Sequence, residues 1–153
     1  MKNPSWKLVN ILIGKSIIET LLVGAIAVGF FINVFPPTFH GWGEARSESP
    51  SIAGWAVNNA SPWERVVVQL FVDDKFVASQ VANLSRPDVK KAGWALDDWH
   101  GYFFHVPNLA PGAHVAKVYA VHGSGDGVRY TLQLLGDAIP FEVDDRGIWT
   151  PAR

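Results

Sequence analysis

The sequence contains no cysteine. That absence removes disulfides, thiolate catalysis, zinc–thiolate and iron–sulfur ligation, and lipidation of the bacterial lipobox kind. It leaves the compartment open, because many periplasmic proteins also lack disulfides. Charge is scarce too. Asp, Glu, Lys and Arg supply 18% of the 153 residues, and thirteen basic against fourteen acidic side chains leave a net charge of −1. Such a balance gives no basic footprint for nucleic acid. Catalytic motifs are missing as well. No serine lies in a nucleophile elbow. The glycine-rich run at 123–127 (GSGDG) lacks the Lys-Ser/Thr and following helix of a phosphate cradle. Asp97, Asp98 and His100 form the densest polar cluster, but zinc takes about four ligands and hard cations about six oxygens or more, so a solvated loop is expected. His40 reads as interfacial polar filler rather than a metal or pigment ligand. No catalytic residue, metal ligand or cofactor is assigned, and the chain is read as a non-enzyme.

What the chain does contain is one long apolar run. Residues 17–35 (IIETLLVGAIAVGFFINVF) carry a single formal charge, Glu19. As a helix they would cover about 28 Å, close to the roughly 30 Å hydrocarbon core of a bilayer. The span is expected from Ile17 through Leu21, Gly24, Ala25 and Gly29 to Phe35. Asn3-Pro4 is a helix start and Pro36-Pro37 a stop. Lys15 and Glu19 are four apart and share a helix face. They fit a snorkelling pair near the headgroups, or a contact with a neighbouring subunit; tolerance of charge near helix ends favours the first. Lys2, Lys7 and Lys15 precede the span, whereas Arg46 follows it beside Glu44 and Glu48. The positive-inside tendency therefore puts the amino terminus in the cytoplasm, in a bacterial inner membrane, with the rest periplasmic. Ala25-Ile26-Ala27 has the look of a signal-peptide cleavage site, but eight apolar positions follow where a signal peptide turns polar, so an uncleaved anchor is expected. Gly24, Ala25 and Gly29 form a small-residue patch suited to close helix approach.

Residues 1–16 are thus a cytoplasmic amino terminus and helix start, 17–35 the span, and 36–50 an interfacial linker whose Phe39, His40 and Trp42 suit the membrane–water boundary. From 51 to 145 the text is strand-like. Short Val-, Phe- and Tyr-rich segments at 52–57, 65–73, 76–82, 101–106, 114–122, 129–135 and 139–143 are separated by turn signals. Asp73-Asp74-Lys75 reads as a tight hairpin, 107–112 as a loop, and 85–93 as a loop or one helical turn. Seven strands without long amphipathic helices between them predict a mainly β fold, an immunoglobulin-like antiparallel β-sandwich behind one transmembrane α-helix. Residues 146–153 have no strand periodicity and read as a tail, with Trp149 docked on a partner or on the domain itself.

Gly54-Trp55, the strand from Val66 to Asp73, the Arg86-Pro87-Asp88-Val89 loop, Gly101 to Pro107 and Gly112 to His114 together resemble a bacterial immunoglobulin-like accessory domain, a module found attached to envelope glycosyltransferases. Tyr102 stands where that pattern has Phe. The resemblance covers residues 52–143 and implies a fold but no catalytic residues. A small sandwich behind one span also resembles in architecture the accessory subunits of respiratory or photosynthetic reaction-centre–antenna complexes.

Alternation assigns strand faces. Val66, Val68, Leu70 and Val72 share one face, and Val67, Gln69 and Phe71 the other. Phe103 and His105 oppose Tyr102 and Phe104, while Val115, Lys117, Tyr119 and Val121 oppose the core of their strand. Both faces are apolar, and a sheet face in free solvent reads more polar than this. A protein interface is expected there. The candidates are Lys15, Glu19, Phe39, Trp42, Val67, Phe71, Phe103, Tyr119 and Trp149, and the expected partners are other membrane protein subunits and the lipid bilayer. The function expected is therefore that of a non-catalytic accessory or scaffolding subunit of a larger membrane complex. Trp55, Trp63, Trp94 and Trp99 support the second reading, a membrane-anchored carbohydrate-binding or envelope-tethering module. The Gly-Trp pairs at 41, 54 and 93 are irregularly spaced and form no repeat.

Overall fold

The computed structural model describes residues 6–34, 38–106, 109–124 and 129–152. Asn3-Pro4, Phe35, Pro36-Pro37, Pro107 and residues 125–128 lie outside them. The chain divides into two units, Met1–Pro36 and Pro37–Arg153.

The first unit is one helix, α1 (Trp6–Val34), 29 residues long. Its stretch Leu8–Gly29, with a mean hydropathy of 2.0, is long and apolar enough to cross a membrane. That stretch begins before residue 17, so Lys15 and Glu19 fall inside it. They pair with each other at 3.5 Å, one helical turn apart. Exposed apolar residues run consecutively through Ile11, Leu12 and Ile13 and again through Leu21, Leu22 and Val23, rather than along one stripe. A helix apolar on every side needs apolar surroundings all round it.

The second unit is an antiparallel β-sandwich of the immunoglobulin-like class. Its strands are β1 (Phe39–Arg46), β2 (Ser51–Asn58), β3 (Val67–Val72), β4 (Lys75–Val81), β5 (Leu84–Ser85), β6 (Trp99–His105), β7 (Gly112–Ser124), β8 (Arg129–Leu134), β9 (Ile139–Val143) and β10 (Trp149–Pro151). One sheet runs β1-β2-β6-β5. The other runs β10-β9-β7-β3-β4, with β8 also on β7. The 13-residue β7 serves two partners along one edge, pairing β9 through its first half and β8 through its second. A short helix, α2 (Pro87–Lys91), opens on Pro87, where a missing N–H costs nothing.

Between the sheets lies one continuous core. Ile52, Ala56, Tyr102 and Phe104 come from the first sheet, and Val68, Leu70, Val118 and Phe141 from the second. A smaller cluster of Val57, Val89 and Ala95 holds α2 and its loop against the outside of the first sheet. Asp73 and Asp74 both have positive φ, as a two-residue hairpin demands, and Val72 pairs with Lys75 across them.

Two expected boundaries change. The segment placed in an interfacial linker holds β1, which pairs with β2 from Phe39↔Asn58 to Arg46↔Ser51. Phe39 is a core residue rather than a boundary ring. Glycine at alternate positions weakens strand propensity and hid this element. Here Gly43 and Gly54 face inward against Tyr102, and Gly41 against Leu135 and the Trp55 carbonyl. A Cβ on Gly43 would come within 2.5 Å of Tyr102 Oη, and one on Gly54 would collide with both Tyr102 Oη and the Trp42 carbonyl. The expected tail, likewise, holds β10, whose Trp149 docks on its own domain.

One tie at the hairpin end titrates. His114 Nδ1 lies 2.7 Å from Asp73 Oδ2, its Nε2 lies 2.8 Å from the Ala110 carbonyl, and the Val115 N–H donates to Asp73 Oδ1. The Ala110 carbonyl and the Asp73 carboxylate hold the imidazole above its ordinary value, and His114 and Val115 hold Asp73 below its own. A raised folded-state histidine contributes stability that is fully present below the unfolded value, near 6.5, and lost as pH rises through the folded value. The lowered Asp73 contributes above about 4 and is lost in acid. Thermal melts of the full chain in detergent micelles should therefore show stability falling as pH rises above about 6.5, and His114→Gln should flatten that slope. Equal slopes in both proteins would rule the tie out as its source.

Candidate functional site

Among the described residues no group of three or more His, Asp or Glu side chains could hold a metal ion. The polar cluster at 97–100 is consumed internally. Arg65 Nη2 donates to Asp97 Oδ2 at 2.9 Å, Arg65 Nη1 lies 3.3 Å from His100 Nε2, and the Trp99 N–H donates to Asp97 Oδ1 at 2.9 Å. Asp98 pairs with Lys90 at 3.5 Å. The Trp99 N–H and Arg65 hold the Asp97 carboxyl below its usual range, while burial and Arg65 push the His100 imidazole down, so it stays neutral. This is a clasp between the 59–66 and 92–98 loops. A cleft of about 300 Å³ opens beside it, lined by Asn58, Glu64, Arg65, His122 and Tyr130 among others.

What stands out instead is the outward face of the larger sheet. Register carries apolar side chains straight across four strands: Val81 on β4, Val67 on β3, Val121 on β7 and Leu132 on β8. The next row is Ser79, Gln69, Tyr119 and Leu134, and the third Phe76, Phe71 and Lys117. Val67, Val81 and Leu132 keep 39%, 42% and 45% of their surface exposed, so no element of the domain covers them. Phe71 meets Phe76 and Tyr119 edge-on, with ring centroids 5.7 and 5.4 Å away. Lys117 Nζ, held 2.7 Å from Asp74, gives the patch a charged border.

The smaller sheet presents a different outward face. Trp42 and Trp55 are cross-strand partners. Trp94 lies 6.2 Å from Trp55 and stacks on His40 at 4.8 Å and 23°. All three Gly-Trp pairs thus deliver their tryptophan to one surface. In β1 and β2 the glycine faces in and the ring faces out. In the third pair Gly93, at φ +81°, turns the chain after α2.

The expected interface residues therefore separate. Val67, Phe71 and Tyr119 lie together on the larger sheet. Phe103 pairs with Ala53 and faces outward from the other sheet, with Trp42. Phe39 and Trp149 are interior, and Lys15 and Glu19 belong to α1. Alternation missed Val81, Leu132 and Leu134 because their placement depends on strand order.

The fold and these two faces define a class: a β-sandwich that follows one apolar helix. Compared with known proteins, the chain matches no family model, no curated protein and no solved structure.

Proposed function

We propose that this protein is a non-catalytic, single-span accessory subunit that braces a larger bacterial membrane assembly, with its sandwich docked on another subunit through the outward face of the larger sheet. The observation that carries this is the apolar four-strand row Val81–Val67–Val121–Leu132, with Val121 half-buried, the other three exposed, and a polar border. Contiguous apolar surface of this kind marks protein interfaces. The lysine bias ahead of the span supports an amino terminus in the cytoplasm and a periplasmic sandwich, in the inner membrane. The immunoglobulin-like accessory module, which binds without catalysing, fits the same role. So does the architecture of small subunits of photosynthetic or respiratory complexes.

The test is a double substitution, Val67→Lys with Leu132→Lys. Both sites are exposed, so each change should move stability by no more than about 0.5 kcal/mol. Protein purified gently from its native membranes should lose its co-purifying subunits, while Phe103→Ser on the other sheet keeps them. Unchanged co-purification in the double variant would sink the reading.

A second reading rests on the convergence of Trp42, Trp55 and Trp94. Planar rings on one surface suit stacking on sugar rings, which makes envelope glycan a candidate ligand. Glycan binding by the detergent-solubilised chain that disappears in Trp42→Ala and Trp94→Ala would favour it over the scaffold.

A further inference from the structure

The two poles of the sandwich differ. At one, here called the leading pole, β1 starts at Phe39 opposite the end of β2, and the 59–66 loop carries the chain from β2 into β3. Register brings three more features to the same pole: the end of β4 beside Val67, the start of β6 at Trp99 beside Ser85, and the paired ends of β7 and β8 at Ser124↔Arg129. Its loops and strand ends expose large amphipathic and apolar side chains. Trp63 is 63% exposed, Leu96 64%, Trp99 53% and Tyr130 68%. These are not loose ornaments. Arg65 donates from Nη1 to the Trp63 carbonyl at 3.2 Å and from Nη2 to Asp97, whose other oxygen takes the Trp99 N–H. One clasp therefore fixes the loops that carry Trp63, Leu96 and Trp99. Three ion pairs lie at this pole, Arg65 with Asp97, Arg86 with Asp88 and Lys90 with Asp98. The turns of the far pole carry more charge and fewer rings: Glu48, Asp145, and Asp73, Asp74 and Asp144 paired with His114, Lys117 and Arg146, with Ile148 exposed among them.

Four residues separate Val34, the last of α1, from Phe39, the first of β1. A stretch that short covers at most about 18 Å when fully extended. Tryptophan and tyrosine, with an apolar body and one polar handle, favour the membrane–water boundary.

We propose that the leading pole rests in the interfacial layer of the bilayer, with Trp63, Leu96, Trp99 and Tyr130 seated among the lipid headgroups. This rests on α1 being a membrane span. The boundary rings then come from loops far along the chain, whereas Phe39, next to the helix in sequence, is buried in the core. The proposed contact is made by aromatic and apolar side chains rather than by a cluster of basic ones, so it should persist in high salt.

The absence of cysteine makes the test direct, since any introduced thiol is unique. Spin labels on Leu96→Cys, Ala60→Cys, Asp145→Cys and Leu22→Cys would be compared in the full chain, reconstituted in vesicles of phosphatidylethanolamine and phosphatidylglycerol. The expected result is a Leu22 label in the hydrocarbon and an Asp145 label fully open to a water-soluble relaxing agent. Labels at Leu96 and Ala60 should be protected several-fold relative to Asp145, at headgroup depth. Adding Trp63→Ser and Trp99→Ser should return the Leu96 label to water without loss of the folded signal. Leu96 and Ala60 as open as Asp145, with Leu22 still in lipid, would overturn the pole proposal and leave the span standing. A Leu22 label open to water would overturn the span and this proposal with it.

Discussion

Gly54→Ala should cost the sandwich roughly 3 kcal/mol or more, a large part of what holds a domain of this size together. Thermal melts of the full chain in detergent, followed by tryptophan fluorescence, would read it as a steep fall in Tm. The reason is local. Tyr102 is 2% exposed, and its hydroxyl donates to the Trp42 carbonyl at 3.2 Å across the space that Gly54 leaves open. Burial pushes the phenol pKa upward, so it stays a neutral donor. A methyl at Gly54 meets that hydroxyl and the Trp42 carbonyl at once. One obstacle is backbone of the paired strand β1, which cannot swing aside as a flexible side chain would. The other is a ring enclosed by the core. Tyr102→Phe should cost only about 1 kcal/mol, the scale of one hydrogen bond. Gly123→Ala should change stability by less than about 0.5 kcal/mol, because its nearest neighbours are Tyr130 ring atoms at 3.5 Å and beyond. A Gly54→Ala protein that melts with the wild type would show that Tyr102 does not occupy this socket.

That socket also explains which parts of the fold were legible in the chain. The strand holding Val66, Val68, Leu70 and Val72 could be read because its buried side chains are large and alternate cleanly, and the structure buries all four. β1 alternates as strictly, but its inward positions are Phe39, Gly41, Gly43 and Ala45. Three small residues carry little hydrophobic signal, and the side chains that Gly43 and Gly41 make room for, Tyr102 and Leu135, lie far downstream in the chain. β10 failed to register for another cause: three residues ending in Pro151 are too short to show a period, and proline argues against a strand except at an edge.

The candidate surfaces were legible to the same depth. Alternation tells which side chains share a face of one strand, but not which sheet the strand joins. Phe71 and Phe103 therefore looked like one patch and lie on the outsides of different sheets. Leu132 and Leu134 became visible as part of the patch only when β8 took its place beside β7. The same limit applied to the expected boundary rings. Closeness in sequence pointed to Phe39, His40 and Trp42 as boundary rings, whereas loop closure brings Trp63 and Trp99 to the pole where the chain enters the sandwich.

Trp149→Ala should destabilise the sandwich by about 3–5 kcal/mol, the range for truncating a large buried aromatic. The indole is 2% exposed and stacks on Phe141 with centroids 4.2 Å apart and planes 19° from parallel. Phe141 in turn stacks on His114, the residue that ties the Asp73 hairpin to Ala110. Removing the indole thus loosens a line of packed rings from the last strand to that hairpin. The approach to β10 is built for the purpose: Asp144 Oδ1 takes the N–H groups of Arg146 and Ile148 at 2.9 and 2.8 Å, and Trp149 then pairs with Val143. A partner anchor would behave differently, since its loss would leave the melting curve in place and remove a binding protein. Trp63→Ala provides the contrast. It removes an indole of the same size that is mostly in solvent, and should shift stability by no more than about 0.5 kcal/mol. If the two variants melt alike, Trp149 does not pack as described, and the final strand is not part of what holds the two sheets together.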